Sequence, residues 1–345
     1  MKKWKENMAS ASFIIGAVAI LFYILVTIVG ADLSIALASF FNGIFGSVYS
    51  VGEVLVKTVP LLLAGLGVSV AFRTGIINLG AEGQIYMGAI AAGFCALLLP
   101  GLPWFLMIPV CLLSGFLLGG IWSVIPGFLK AKFGISKVIN TIMFNYISIY
   151  IVGILVRTIL QDPNNAFPMS ASFPESSWLP IILTGSRLHF GLVIAIVLMV
   201  AVWLLMWRTK YGFEMRAVGE NQRASACSGI SVNKNILLSS LISGGLAGIA
   251  GVCEVTGLHH KLMEGISPNY GYLAIIVALL GRNHPFGVFV SALGLAMLQV
   301  GSLSMQRSAG IPTSISSIIL AAIVLLILAQ YTIFKKWNPF KKKEV

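Results

Sequence analysis

The sequence predicts an all-α, polytopic integral membrane protein, and three observations carry that expectation. Of 345 residues, 58% are hydrophobic and only 10% are charged. The mean hydropathy is +0.95. The apolar residues fall into runs long enough to cross a bilayer. A soluble domain carries about 45–50% apolar and about 25% charged residues, so this chain lacks the charge to clothe a water-facing surface. Disorder needs the opposite composition. At about 20 apolar residues per crossing, the length accommodates roughly ten helices in one transmembrane domain spanning residues 1–345.

Taken in order, the spans are expected near 12–30, 54–72, 84–100, 104–127, 138–159, 189–207, 235–255, 271–281, 286–303 and 312–333. The first follows Met1-Lys-Lys-Trp-Lys-Glu and is long enough to span. It reads as an uncleaved anchor, although Ala36-Leu37-Ala38 has the composition of a signal-peptide cleavage site. Residues 31–53 are moderately apolar and suit an interfacial or partly inserted helix. The run at 271–281 is too short to cross alone. It either borrows from the preceding Gly265–Tyr270 or forms half of a broken helix.

Charge sets the orientation. With the N-terminus inside, eighteen of the 23 Lys and Arg residues fall on the cytoplasmic side. Lys57, Arg157, Arg187, Lys261 and Arg307 fall on the outer side. That bias predicts both termini in the cytoplasm. It also accounts for the net charge of +12 without nucleic acid, since no basic stripe interleaved with aromatics is present. The polar loop Gln161–Arg187, with four prolines, is expected outside, and Arg208–Lys234 forms the longest inner loop.

Several chemistries are missing. Cys95, Cys111, Cys227 and Cys253 have neither disulfide nor zinc spacing. There is no HExxH, GxSxG or Gly-Lys-Ser/Thr, so neither a common membrane hydrolase nor a resident ATPase is expected. No cofactor or metal is called for. His259 and His260 read as solvated loop residues, and Glu254 as functional or interfacial. Glu82 and Glu254 are thin support for an ion-coupled carrier, which would place several ionisable groups in mid-span.

Two segments interrupt the apolar pattern. Arg73-Thr-Gly-Ile-Ile-Asn-Leu-Gly-Ala-Glu-Gly-Gln84 sets Asn78, Glu82 and Gln84 among three glycines. It reads either as a solvated hairpin with Glu82 near Arg73, or as a helix break lining the transport path, because irregular backbone at membrane depth is tolerated only inside protein or beside water. The second, Gly265-Ile-Ser-Pro-Asn-Tyr-Gly-Tyr272, offers Asn269, Tyr270 and Tyr272. The breaks follow spans of opposite direction, which suggests an inverted repeat of spans 2–5 and 7–10. Gly115-xxx-Gly119, Gly244-xxx-Gly248 and Ala247-xxx-Gly251 predict close helix contacts. Tyr211–Lys234 reads as helix, turn, helix, with Gly219 ending the first element.

At these residues the chain resembles a known family. Phe72-Arg-Thr-Gly-Ile-Ile-Asn-Leu-Gly-Ala-Glu-Gly-Gln84, Gly212-Phe-Glu-Met-Arg-Ala-Val-Gly-Glu-Asn-Gln222, Ser228-Gly-Ile-Ser-Val-Asn-Lys234 and Ile275-Ile-Val-Ala-Leu-Leu-Gly281 are similar to the permease subunits of bacterial ABC importers. The type is the branched-chain amino acid/ribose one, in its simple-sugar and nucleoside branch, nearest to guanosine and purine nucleoside permeases. The resemblance covers nearly the whole chain. It implies a subunit of the bacterial plasma membrane that pairs with a second, related permease. Two cytoplasmic ATP-binding subunits would drive it, and an extracellular substrate-binding lipoprotein would deliver the solute. It further implies that 208–234 seats in the ATPase, with Glu214, Arg216, Glu220 and Asn221 at the transmission interface. Where the family often reads Gly-Gly-Asn, this chain reads Gly281-Arg282-Asn283-His284-Pro285. A nucleoside's polar sugar and aromatic base call for amide, hydroxyl and aromatic neighbours, which Asn78, Glu82, Gln84, Asn269, Tyr270 and Tyr272 supply.

Overall fold

The computed structural model describes residues 20–326 except 21, 25, 134–136, 164–166, 316, 320, 323 and 324. The start of the first expected span, the end of the tenth and both basic termini lie outside the described residues. The helices are α1 (Leu33–Phe45), α2 (Val48–Arg73), α3 (Ala81–Leu98), α4 (Trp104–Phe133), α5 (Lys137–Arg157), α6 (Gly191–Arg208), α7 (Lys210–Glu220), α8 (Gln222–Cys227), α9 (Val232–Glu254), α10 (Tyr270–Leu280) and α11 (Pro285–Ala309). Among the described residues seven helices are long and apolar enough to cross a membrane, or eight if Phe22–Ile28 and Leu33–Phe45, bent by 118°, form one span. The expected count of ten is therefore too high by this measure. The run at 271–281 yields only the 11-residue α10, and the first and last runs are described only in part.

Two compact units make up the chain. One comprises residues 1–51 and 297–345, the other 52–296. In the first, Val26, Ala36, Met305, Ile311, Ile315 and Ile319 form a small apolar core. Asp32 opens α1 there, its Oδ1 accepting from the Ser34 amide at 2.7 Å and the Ser34 hydroxyl at 2.6 Å. Those bonds, the hydroxyl's foremost, hold its carboxyl below the ordinary value.

The second unit is built around α2, α3 and α9. Their apolar stretches are 89%, 78% and 78% buried, against 28%, 22% and 28% for α4, α5 and α6. Helices apolar on every side are either enclosed by others or turned toward lipid, and this difference sorts the two kinds. The inner helices α3 and α9 meet each other and α4 on glycines. A Cβ at Gly88 would strike the Gly248 backbone, one at Gly248 the Gly115 carbonyl, one at Gly244 the Gly119 carbonyl, and one at Gly251 the Ile85 carbonyl. Small faces let backbones touch where apolar burial supplies no drive.

The loop after α5 folds back onto the far end of α9. The Phe173 amide donates to the His260 carbonyl at 2.8 Å, and the Leu179 amide to the Thr256 carbonyl at 3.0 Å. Helix α9 itself continues through a π-helical segment, Val255–His259. His260 then turns into the left-handed region at φ 54° and stacks on Trp178 with ring centroids 4.1 Å apart. The pair His259–His260, expected to be solvated, is thus half-buried, because this loop covers it.

Candidate functional site

The first interruption is a break inside the bundle, not a solvated hairpin. After Arg73 the chain turns at Gly75 (φ 73°) and runs without helix to Gly80. Asn78 is fully buried. Its Nδ2 donates to Gln84 Oε1 at 3.2 Å and to Ser243 Oγ at 2.9 Å, while its Oδ1 accepts from the Gly80 amide at 3.0 Å and from Gln84 Nε2 at 3.3 Å. The two side-chain amides thus satisfy one another, as buried polar groups in an apolar surrounding must. Ser243 stands halfway along α9, eleven residues (about 16 Å at the α-helical rise) beyond Val232. So the first turn of α3 begins deep in the bundle. Asn145 of α5 braces it, accepting from the Gly83 amide at 2.8 Å and donating to the Leu79 carbonyl at 2.9 Å.

The second interruption meets the first. Asn269 adopts φ 66°, and α10 starts at the next residue. Glu82, 1% exposed, accepts from the Gly271 amide through Oε2 at 2.7 Å. The Ser267 side chain and the Asn269 backbone also hydrogen-bond to the carboxylate. A Cβ on Gly271 would run into the Glu82 and Ala81 backbone, so only glycine permits this approach. Glu82 also lies in the first turn of its own helix, α3. The carboxylate therefore sits at two helix N-termini, where unpaired amides and the helix dipole favour negative charge. It makes no ion pair among the described residues, and Arg73 is engaged elsewhere. Tyr272 completes the cluster, its hydroxyl accepting from Asn145 Nδ2 at 3.1 Å.

Of the six residues expected on the transport path, Asn78, Glu82, Gln84 and Tyr272 converge here through side-chain hydrogen bonds, and Tyr270 joins through its backbone amide, which donates to Ser267 Oγ at 3.1 Å. Asn78, Glu82, Gln84 and Tyr270 are buried and Tyr272 is half-buried. Asn269 is exposed and contributes its backbone. Sequence reading missed Ser243, Asn145, Ser267 and Gly271, which hold the others. For Ser243 and Asn145 the signal was a polar residue inside an apolar helix, and Ser267 and Gly271 lay in the second interruption, but nothing local reveals their partners.

A second region lies where α7 and α8 leave the bundle. Thr209 caps α7, accepting from the Gly212 amide at 3.2 Å. Asn221 caps α8, accepting from the Ala224 amide at 3.1 Å. The break between the helices thus falls at Asn221. Gly219 lies within α7 and does not end it; its lack of a side chain lets α7 rest on the backbone of Arg73 and Gly75. Glu214 Oε2 accepts from Asn235 Nδ2 of α9 at 3.2 Å. The Arg216 guanidinium carbon is 5.9 Å from the Trp207 ring centroid. Lys210, Phe213, Glu214, Glu220, Asn221 and Ser228 line an open groove of about 720 Å³ between α7 and α8.

A third cluster surrounds the Glu254 end of α9. Glu254 is 2% exposed and lies 3.7 Å from His259 Nε2. Arg187 holds Glu53 of α2 with two of its nitrogens, Nε donating to Oε1 at 2.8 Å and Nη2 to Oε2 at 2.5 Å. His189 is buried between Gly191 and Gly257, a Cβ on either falling 2.6 Å from its ring. Its Nδ1 accepts from the Gly191 amide at 3.2 Å. Burial first, then His260, pushes its pKa down to about 4. No group of three or more His, Cys, Asp or Glu side chains among the described residues is arranged to hold a metal ion.

Comparison with known proteins gives this arrangement its context. Residues 50–328 match the family described as branched-chain amino acid transport system / permease component. The chain is 39% identical over 318 residues to the guanosine ABC transporter permease protein NupP of Bacillus subtilis, covering 91% of each chain. It is 35% identical to the nucleoside ABC transporter permease protein NupB of Lactococcus lactis, covering 85% of this chain and 83% of that one. It is 33% identical to the glucose ABC transporter permease protein TsgB13 of Haloferax volcanii, covering 85% and 79%. With its membrane helices, its buried breaks and this match over most of its length, the chain belongs to the family of permease components of branched-chain amino acid transport systems.

Proposed function

We propose that this permease subunit carries a nucleoside or a simple sugar into the cell by alternating access, driven by ATP hydrolysis in partner subunits. The observation that carries the reading is its identity, over most of both chains, to permeases named for guanosine, nucleosides and glucose. The partners are a second, related permease, cytoplasmic ATP-binding subunits and an extracellular substrate-binding lipoprotein. Both termini face the cytoplasm, and α7 with α8 seats in the ATPase through Glu214, Arg216, Glu220 and Asn221. The uneven distribution of Lys and Arg supports this orientation.

On the substrate path, Glu82 joins the two helix breaks, Asn78 and Gln84 bond each other at the first and Asn78 fastens it to Ser243, and Tyr270 lies buried at the second. Asn269 and Tyr272 retain exposed surface from which to meet the solute. A ligand shifts a protein between states only by binding them unequally, and a cluster joining two broken helices gives the two packings different polar surfaces to offer. The complete transporter reconstituted in vesicles should take up labelled guanosine with external binding protein and internal ATP, and a competition panel of nucleosides, pentoses and glucose identifies the solute. Asn78→Ala and Glu82→Gln should lower uptake by about tenfold, the effect of losing one buried hydrogen bond of roughly 1–2 kcal/mol; unchanged transport in both would remove them from the path. Uptake that persists without ATPase subunits and collapses with an uncoupler would instead mark a gradient-driven carrier.

A further inference from the structure

The stretch from Arg73 to Glu82 touches both ends of α10. Glu82 accepts from the Gly271 amide at the N-terminus. Arg73, nine residues earlier, donates through Nε to the Asn283 carbonyl at 3.1 Å and through Nη2 to the Arg282 carbonyl at 3.2 Å. Those carbonyls belong to the turn that closes α10, where the Arg282 amide donates to Leu279 and the Asn283 amide to Ala278. Both residues adopt φ 53°, and the turn lifts their carbonyls toward the guanidinium. The signs agree with the helix dipole, a carboxylate at the amide end and a guanidinium at the carbonyl end. Helix α10 is about 16 Å long at the α-helical rise, well within reach of a nine-residue connection.

The Arg73 end of this bracket is also fastened to α7. Gly219 rests on the Arg73 carbonyl and the Gly75 amide. The guanidinium carbons of Arg73 and Arg216 lie 5.6 and 5.9 Å from the centre of the same Trp207 ring. His284, beside the turn, lies 4.8 Å from that ring. We infer that Arg73 is a positioning residue, and that the segment from Arg73 to Glu82 is a charge-matched bracket transmitting displacement of α7 to α10 as one body. The inference rests on the reading of α7 as the element that contacts the ATPase.

The test uses the complete transporter in vesicles, with basal ATP hydrolysis, solute-stimulated hydrolysis and ATP-driven uptake measured together. Arg73→Gln removes the charge and the fork; Arg73→Lys keeps the charge but replaces the planar two-nitrogen fork with a single ammonium. In Arg73→Gln, uptake per ATP should fall about tenfold, within the range of energetic coupling between sites, while basal hydrolysis stays within about twofold. Arg73→Lys should recover part of the uptake. Full uptake in Arg73→Gln, or hydrolysis and uptake falling in equal proportion, overturns the inference. The unaltered complex provides a second measurement that no misfolded variant can obscure. Adding a non-hydrolysable ATP analogue should change amide hydrogen exchange in residues 74–80 and 270–284 together with 210–220; a change confined to 210–220 overturns the bracket. If the unaltered complex concentrates none of the offered solutes, the transport reading fails, while the exchange result still decides the bracket.

Discussion

At the scale of residues, the chemistry rests on a few polar groups set where apolar side chains would be cheaper to bury. Glu82 is tolerable because the Gly271 amide, the Asn269 backbone and the Ser267 side chain at the start of α10 replace the water it lost. Removing one partner of a buried hydrogen bond typically costs about 1–3 kcal/mol. Glu82→Ala should therefore lower the stability of the purified chain by that order in thermal unfolding, and Gly271→Ala should do so from the opposite side by forcing α10 off the Ala81–Glu82 backbone. An unshifted Tm for both variants would mean that the carboxylate does not cap α10. His189 makes a prediction about pH. Its folded pKa of about 4 lies below the ordinary 6.5, so the unfolded chain binds the proton more readily. Its contribution is full above pH 6.5 and is lost as pH falls from there toward 4. Stability measured across that interval should decline less steeply in His189→Gln; equal slopes would leave the imidazole without a part in the acid response.

At the scale of elements, glycine decides where helices sit. Gly248 is the crossing point of three of them, with Gly88 of α3 on one side and Gly115 and Gly119 of α4 on another. Overfilling a close-packed interior costs about 1–3 kcal/mol even where neighbours can shift, and here the neighbours are backbone. Gly248→Leu should prevent recovery of folded protein from membranes. Gly294 of α11, where a Cβ would meet nothing within 4 Å, should accept Ala with a gain of up to about 1 kcal/mol from helix propensity. Equal yields of the two variants would refute the crossing as the element that sets the bundle. The short helices obey local rules instead. Thr209 and Asn221 each cap the helix that follows, as their hydroxyl and amide side chains favour.

At the scale of the whole molecule, the permease carries parts for moving but no means of doing work. The sequence holds no phosphate-binding Gly-Lys-Ser/Thr loop, and membership of the permease family assigns the chain a transport role and not an enzymatic one. Incorporated alone into vesicles, it is expected to concentrate no solute. In the proposed mechanism, the bracket between α7 and α10 is the route by which a partner's ATP cycle reaches the deep break.

Composition and run length were enough to establish a helical membrane protein, and charge asymmetry to propose its orientation, because lipid penalises unpaired backbone and charge so heavily that any crossing segment must be apolar and helical. The spacing of glycines announced close contacts, and the breaks at 73–84 and 265–272 were visible as polar, glycine-bearing interruptions. Their meeting was not. That Glu82 caps a helix 189 residues away, that Asn78 bonds Ser243 across 165 residues, and that Gly219 serves the Arg73 backbone and not a turn were settled only by the tertiary structure. A sequence records which groups need partners; which group satisfies which depends on how helices cross, and that follows from the packing of the whole bundle.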